Sequence, residues 1–325
     1  MGINRVSTNQ YYTTAIDRMS KQQRNLVELQ GQMATGQRVL KPSDDPVAMS
    51  TALSAKAGMK TVESYQANIT YLNNQLGQMD TALNSATDLM VNIKEAMIQA
   101  GNPVLSRADL NTVALQLEGS LEELQGIANQ KDTNGDYMFA GIYGDIQPYQ
   151  TPSGAITGKF LELATPAAAA AVEGREIQVT GGRSVNLSVT GNDAFADATT
   201  GEDVFQLMRD AIALLKNAGY PGGQQGATPA DTYKVAFDAK RAQIDGIFDQ
   251  TQLARTKVGV RLREIETLEQ INDAASLELE RVAGEAVGLD YAKAISELSQ
   301  GQLQLQASQQ SFSSISQLSL FNFLN

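Results

Sequence analysis

VESYQANITYLNNQLGQMDTALNSATDLMVNIKEAMIQA, residues 62–100, decides the fold. Its apolar side chains stand at Val62, Tyr65, Ile69, Leu72, Leu76, Met79, Leu83, Ala86, Met90, Ile93, Met97 and Ala100. The steps alternate three and four without a break, the heptad pattern of a helix packed along its whole length on other helices. At 1.5 Å per residue it is about 58 Å long. Each buried Leu, Ile or Met contributes about 1.5–3 kcal/mol, but only against a partner. The rest of the chain must supply that partner.

A second seam supplies it. Phe237, Ile244, Ile247, Ala254, Val258, Ile265, Leu268, Ala275, Leu279, Val282, Ala286 and Leu289 keep similar spacing, interrupted by Lys240, Thr251, Arg261 and Asn272. Pairing the two seams joins the two halves of the chain. The predicted long-helix seam includes Leu72, Leu76, Met79 and Leu83 from the first half and Ile265 and Leu268 from the second.

With 325 residues there is room for about two domains. The net charge of −11 argues against sequence-independent nucleic-acid binding, which needs a basic face, and favours a soluble, self-repelling monomer. Cys and His are absent, which removes disulfides, the common zinc sites and His-based triads. No apolar run is long enough to span a membrane, and MGINRVSTNQYY carries no apolar core of a cleavable signal.

Before the long seam, residues 1–10 are polar and without period, and read as loose. Tyr12, Met19, Leu26 and Met33 then recur every seven residues, with Gln23 and Gln30 at seam-like positions. This helix should stop near Gly36. Asp45 before Pro46 reads as an N-cap and a first helical residue, so the next helix runs from Pro46 through the seam. Gly101, Asn102 and Pro103 end it, and Ser106 with Asp109 caps a third helix. Its face is Leu110, Val113, Leu117, Leu121, Leu124 and Ala128, and its short connection folds it back on the long one.

Residues 137–200 change character, being rich in Gly, Thr and Pro. Ile177–Thr180 and Val185–Thr190 alternate about Gly181 and Gly182, which predicts a β-hairpin. Met138–Ala140 and Phe160–Leu163 are further strand candidates, while the run Ala167–Ala171 has no assigned place. A short helix is expected over Glu202–Asn217, ending at Gly219. Gly222–Gly226 reads as a loop, and Thr228-Pro229 as the cap of the last long helical region.

At the C-terminal end Tyr291, Leu298, Leu305 and Phe312 repeat every seven residues, mirroring the N-terminal set. Beyond Glu297 the 28 remaining residues carry no charge. Either they form an ordinary helix packed on the monomer, or they become buried among many copies in an assembly.

Three motifs with a chemical flavour have plainer readings. Asp132, Asn134 and Asp136 in KDTNGDY lack the Gly and Glu of a calcium loop at Tyr137 and Tyr143, and read as a turn. Asp44 and Asp45 read as capping groups rather than a catalytic pair. Gly219–Gly226 lacks the Gly-Lys-Ser/Thr of a phosphate loop. The first sixty residues carry eight Lys and Arg against four Asp and Glu, a mild basic bias. No catalytic, metal-binding or cofactor-binding residue is predicted.

Several segments resemble the flagellin family of bacterial flagellar proteins. They are VSTNQ at 6–10, MATGQRVLKPSDDPVA at 33–48, DYMFAG at 136–141, RTKVGVRLREIE at 255–266, DYAKAISELSQGQLQLQASQQSF at 290–312 and SLFNFL at 319–324. The likeness covers roughly the first 145 and last 75 residues; 146–200 depart most. Leu40–Pro46, with the loop residues Pro42, Asp44, Asp45 and Pro46, and the LFNF ending favour the members at the hook–filament junction, on its filament side.

The resemblance implies a mainly α, flagellin-like coiled-coil bundle of long antiparallel helices, formed from both ends of the chain, with a small β-rich middle domain. The expected division is a terminal coiled-coil domain, 1–45 with 285–325, mobile in the monomer; a long-helix domain, 46–136 with 201–284; and an outer β-rich domain, 137–200. Tyr12, Met19, Leu26, Met33, Tyr291, Leu298, Leu305 and Phe312 would form the assembly interface.

Implied partners are copies of the chain in a layer, the hook-side junction protein, flagellin, a cytoplasmic export chaperone and the flagellar type III export apparatus. Neither nucleic acid nor membrane is among them. The implied location is extracellular, in the flagellum, after export through its channel without a cleaved signal. A filament-forming flagellin is the alternative within the family. An enzyme on a helical scaffold is the remote one, and a zinc protease is excluded because HExxH needs His.

Overall fold

The computed structural model describes residues 3–102, 105–141, 143–150, 159–160, 176–187, 189–197, 201–217 and 230–324. Its elements, in chain order, are α1 (Ile3–Thr35), α2 (Pro46–Ala100), α3 (Arg107–Ala128), β1 (Tyr149–Gln150), β2 (Lys159–Phe160), β3 (Glu176–Thr180), β4 (Arg183–Asn186), α4 (Gly191–Phe195), α5 (Val204–Asn217), α6 (Ala230–Val287) and α7 (Tyr291–Leu324). The fold is mainly α with small β pieces, as the periodicity requires. The chain divides into one unit of 1–63 with 274–325 and another of 64–273. No helix among the described residues is long and apolar enough to cross a membrane.

In the 64–273 unit, α2 and α6 lie antiparallel. Gln66 donates to Asp273 at 2.6 Å, Arg255 to Asp80 at 3.3 Å, and Lys94 pairs with Asp245 at 3.0 Å. The predicted stripe of α2 is buried from Ile69 to Ala100, with Leu72, Leu76, Leu83, Met90 and Ile93 wholly covered. Phe237, Ile244, Ile247, Ala254, Val258, Ile265 and Leu268 of α6 complete the same core.

Local chemistry explains the shorter elements. Ser106 and Asp109 form a reciprocal capping box at the start of α3, and all six predicted face residues of α3 are buried. The backbone of α3 comes closest to α5, where Lys216 bonds Glu118. Asp203 caps α5 by accepting from the Gln206 amide at 2.7 Å, so that helix starts at Val204 rather than Glu202. Aromatic rings fill the space beneath: Phe139 meets Phe195 at 5.3 Å and Tyr149 meets Phe205 at 4.3 Å between centroids. The Arg209 guanidinium bonds the Tyr149 hydroxyl.

The hairpin forms antiparallel, pairing Ile177 with Val185. It is shorter than expected, because β4 ends at Asn186 and Thr190 instead caps α4 by a second capping box with Asp193. Met138–Ala140 are not a strand. The Asp132 carboxylate accepts from the amides of Asn134 and Asp136, Gly135 turns at φ +90°, and Phe139 is buried within the resulting loop. Of Phe160–Leu163, Phe160 is described, and it falls in β2, paired with β1. Residues 161–163, Ala167–Ala171, Gly219, Gly222–Gly226 and Thr228-Pro229 lie outside the described residues.

Three other expectations are corrected. Residues 3–10 are not loose but belong to α1. Their polarity hides a helix that no Gly or Pro interrupts before Gly31. Leu289 is not part of the α6 seam, since that helix ends at Val287. Thr251 and Asn272 do not interrupt the seam by facing outward; both are buried within it.

Leu83→Ala leaves a cavity in the fully closed part of the seam. It should cost about 2–5 kcal/mol, whereas Leu115→Ala, at a side chain 64% exposed, should change stability by no more than about 0.5 kcal/mol. Chemical denaturation followed by far-UV circular dichroism distinguishes them.

Candidate assembly surface

The second unit, 1–63 with 274–325, holds the terminal helices. They run antiparallel in one consistent register. The Tyr12 and Phe312 rings meet edge to face at 5.5 Å, Gln22 donates to Gln304 at 3.0 Å, and the Tyr291 hydroxyl donates to the Met33 carbonyl at 3.2 Å. Leu26 lies on Gly301 so closely that a Cβ there would stand 2.7 Å from its Cδ2 atom. At that level the helices are packed as tightly as a glycine permits.

Of the eight predicted interface residues, Tyr12, Met19, Leu26, Met33, Leu298, Leu305 and Phe312 are half-buried, and Tyr291 is exposed apart from its hydroxyl contact. None reaches the burial of the α2 seam. Two helices can cover only one flank of each other's stripe. Ile16, Val27, Ile295 and Leu303 stay outside, and Val27 and Leu303 are each about two-thirds exposed.

Three open grooves follow the pair. One of about 650 Å³ is lined by Arg24, Val27, Gly31, Leu40 and Lys41, one of about 640 Å³ by Arg18, Met19, Ala307 and Phe312, and one of about 420 Å³ by Leu26, Leu29, Gln300 and Gly301. Sequence reasoning missed the Gln22–Gln304 bridge. It placed Gln23 and Gln30 near the seam, yet both are exposed. Periodicity cannot single out a glutamine that packs sideways.

The base of the pair is a clasp formed by residues 36–46. Gly36 ends α1 at φ +69°, a conformation that favours glycine. The chain then meets the α6–α7 connection: the Arg38 amide donates to Val287 at 2.7 Å, and the Leu289 amide donates to Gly36 at 3.0 Å. The Arg38 guanidinium bridges the Asp45 carboxylate and the Ala286 carbonyl, both at 3.1 Å. Asp44 accepts from the amides of Leu40 and Lys41 at 3.2 and 2.8 Å, which closes the turn through Pro42. Asp45 accepts from the Ala48 amide at 3.0 Å and so caps α2, with Pro46 as its first residue. Val39, Ala52 and Val287 form a small core beneath the clasp.

These contacts give the loop carboxylates structural work at the end of a helix. The Ala48 amide, followed by the Arg38 guanidinium, holds the Asp45 carboxyl below the usual aspartate range. A depressed value means stabilisation that is present above the unfolded-state pKa and lost as pH falls through the folded-state one. Among the described residues no group of three or more acidic side chains is arranged to hold a metal ion. The arrangement offers a partly covered apolar seam, held at a defined base, for packing against further helices.

Comparison with known proteins agrees with this architecture. The bacterial flagellin N-terminal helical region matches residues 6–144. Flagellar hook-associated protein 3 of Salmonella typhimurium is 28% identical over 335 residues, and that of Escherichia coli 26% identical over 328, each covering 98% of both chains. The solved structure of a putative flagellar hook-associated protein from Vibrio parahaemolyticus superposes with a TM-score of 0.64 at 20% identity, covering 75% of this chain and 100% of that one.

The clasp is open to direct titration. The acid midpoint read from the Ala48 amide resonance should lie below that of an ordinary aspartate and should rise towards it in Arg38→Gln. A wild-type midpoint at the ordinary value would mean that the cap and bridge do not form.

Proposed function

We propose that the chain is a member of the flagellin family, as its likeness to that family along its length supports, and that its half-covered terminal seam is the surface by which it assembles as a junction subunit. The family is one of structural flagellar proteins, and the chain is a component of the flagellum. Its role is that of a hook–filament junction adaptor, in keeping with a full-length likeness to hook-associated protein 3 from two species. It associates with other flagellar components.

The finer assignments are part of the proposal. On one side the adaptor meets the hook-side junction protein, and on the other the first flagellin subunits. Copies of the chain form a layer through α1 and α7, with Tyr12, Met19, Leu26, Met33, Leu298, Leu305 and Phe312 covered from both flanks once neighbours are in place. Residues 1–45 and 285–325 gain their full order in that layer, at the cost in entropy that coupled folding carries. An export chaperone shields the uncharged C-terminal segment before the flagellar type III apparatus passes the chain out of the cell.

The carrying observation is the partial burial of the terminal seam, against the burial of the α2 stripe from Ile69 to Ala100. A seam that is half covered in one chain has apolar area left to bury against another.

Leu26→Asp and Leu305→Asp place a charge on that seam. Both variants should keep their overall helicity by circular dichroism yet fail to enter the junction when hooks are reconstituted with flagellin. Normal filament growth with either variant would overturn the interface. Long filaments grown by the wild-type chain alone would instead identify a filament-forming flagellin.

A further inference from the structure

The polar side chains buried in the α6 seam are placed where the middle of the chain docks. Thr251 is fully buried; its hydroxyl has the Ala194 carbonyl of α4 at 2.6 Å and the Ile247 carbonyl of its own helix at 3.0 Å as acceptors, and lies 3.4 Å from the Met90 sulfur of α2. Asn272, 3% exposed, donates to the Val179 carbonyl of β3 at 2.9 Å. The carbonyl of Gln178, the preceding residue of the same strand, accepts from Asn68 of α2 at 2.8 Å. Arg183 of the hairpin pairs with Glu264 of α6, and Asp193 of α4 pairs with Lys257 of α6 at 3.9 Å.

The middle segment therefore has two attachments to α6, at Asn272 and Thr251, about 32 Å apart along the axis. The hairpin attachment also holds α2, since Asn68 and Asn272 bond the carbonyls of adjacent β3 residues. At the α4 attachment Thr251 itself meets Met90 of α2, about 33 Å along that helix from Asn68. Both sets of contacts are met at one axial position of α2 against α6.

An apolar heptad stripe does not fix that position by itself. Leu, Met, Ile and Ala recur along α2, and similar side chains re-mate after a displacement of one turn or one heptad. A polar group buried in such a stripe costs stability and favours one register, because a displacement takes it away from its partner on the neighbouring element.

We infer that the hairpin β3–β4, held by both long helices, and the Thr251 hydroxyl beneath α4 act as a register lock that prevents α2 and α6 from sliding past each other. Asn272 and Thr251 are its keyed positions on α6, and Asn68 is its hold on α2. The inference rests on the packing of residues 64–273 and is independent of any role in assembly.

The chain has no Cys, so introduced pairs report cleanly. Gln66→Cys with Asp273→Cys probes the native register. Gln66→Cys with Glu269→Cys, and Thr70→Cys with Asp273→Cys, probe displacement by one turn in either direction. In the otherwise unaltered chain the native pair should form its disulfide fastest. In the Thr251→Val/Asn272→Leu background the displaced pairs should gain several-fold relative to it, with helicity retained and the melting temperature unchanged or raised. An unchanged ratio in this helical background would overturn the lock. If that background loses helicity, Asn68→Ala, at a partly exposed side chain, carries the test: the displaced pairs should again gain, and an unchanged ratio would overturn the lock.

Discussion

The structure depends on one contact, the burial of the α2 stripe against α6. A helix of 55 residues with apolar side chains along one face cannot remain separate in water, and among the described residues a stripe of matching length lies more than a hundred residues further on. Closing that contact determines the topology. The chain must leave at one end of the bundle, build α3, the β pieces, α4 and α5, and return. Whatever it builds in between is held against a surface already defined by the long pair. Phe139, Phe195, Phe205 and Tyr149 show the result, a ring cluster continuous with the helical core.

The terminal pair obeys the same chemistry with a different outcome. Its heptads are thinner and are diluted by Gln, Ser and Thr, and only two helices meet, so its side chains are half covered where those of α2 are fully covered. What it lacks in burial it gains in definition at the base. The clasp joins residues from opposite ends of the chain through main-chain hydrogen bonds, a guanidinium bridge and an aspartate cap. Backbone groups so paired have nothing further to offer a neighbour, whereas the grooves above them do. A rigid base under an unsaturated pair of helices suits a subunit that completes its packing in the company of others.

Much of this was legible in the residues because it rests on local chemistry. The span Pro46–Ala100, the box at Ser106 and Asp109 and the hairpin about Gly181 each follow from a few neighbouring side chains. The misreadings arose where no apolar pattern was present or where a polar partner, near or far in sequence, decided the outcome. Residues 3–10 have no stripe of their own. Met138–Ala140 alternate like a strand, but the carboxylate of Asp132 gathers the preceding amides into a turn. Thr251 and Asn272 look like breaks in a seam until the carbonyls of Ala194 and Val179 are placed beside them. Of the terminal seam, the repeat of seven was legible, but the glycine beneath Leu26 and the glutamine bridge were not.

The uncharged run beyond Glu297 has a consequence for how the ends of the chain answer to their surroundings. That segment holds no titratable or charged side chain, so what its side chains contribute to any contact is indifferent to ionic strength over the range in which surface charges lose their reach. The clasp at Arg38 and Asp45 is of the opposite kind, an exposed ion pair open to both acid and salt. One structural unit thus combines a base tuned by the medium with a helix blind to it. A change in the surrounding water would be felt at the loop and not along the tail.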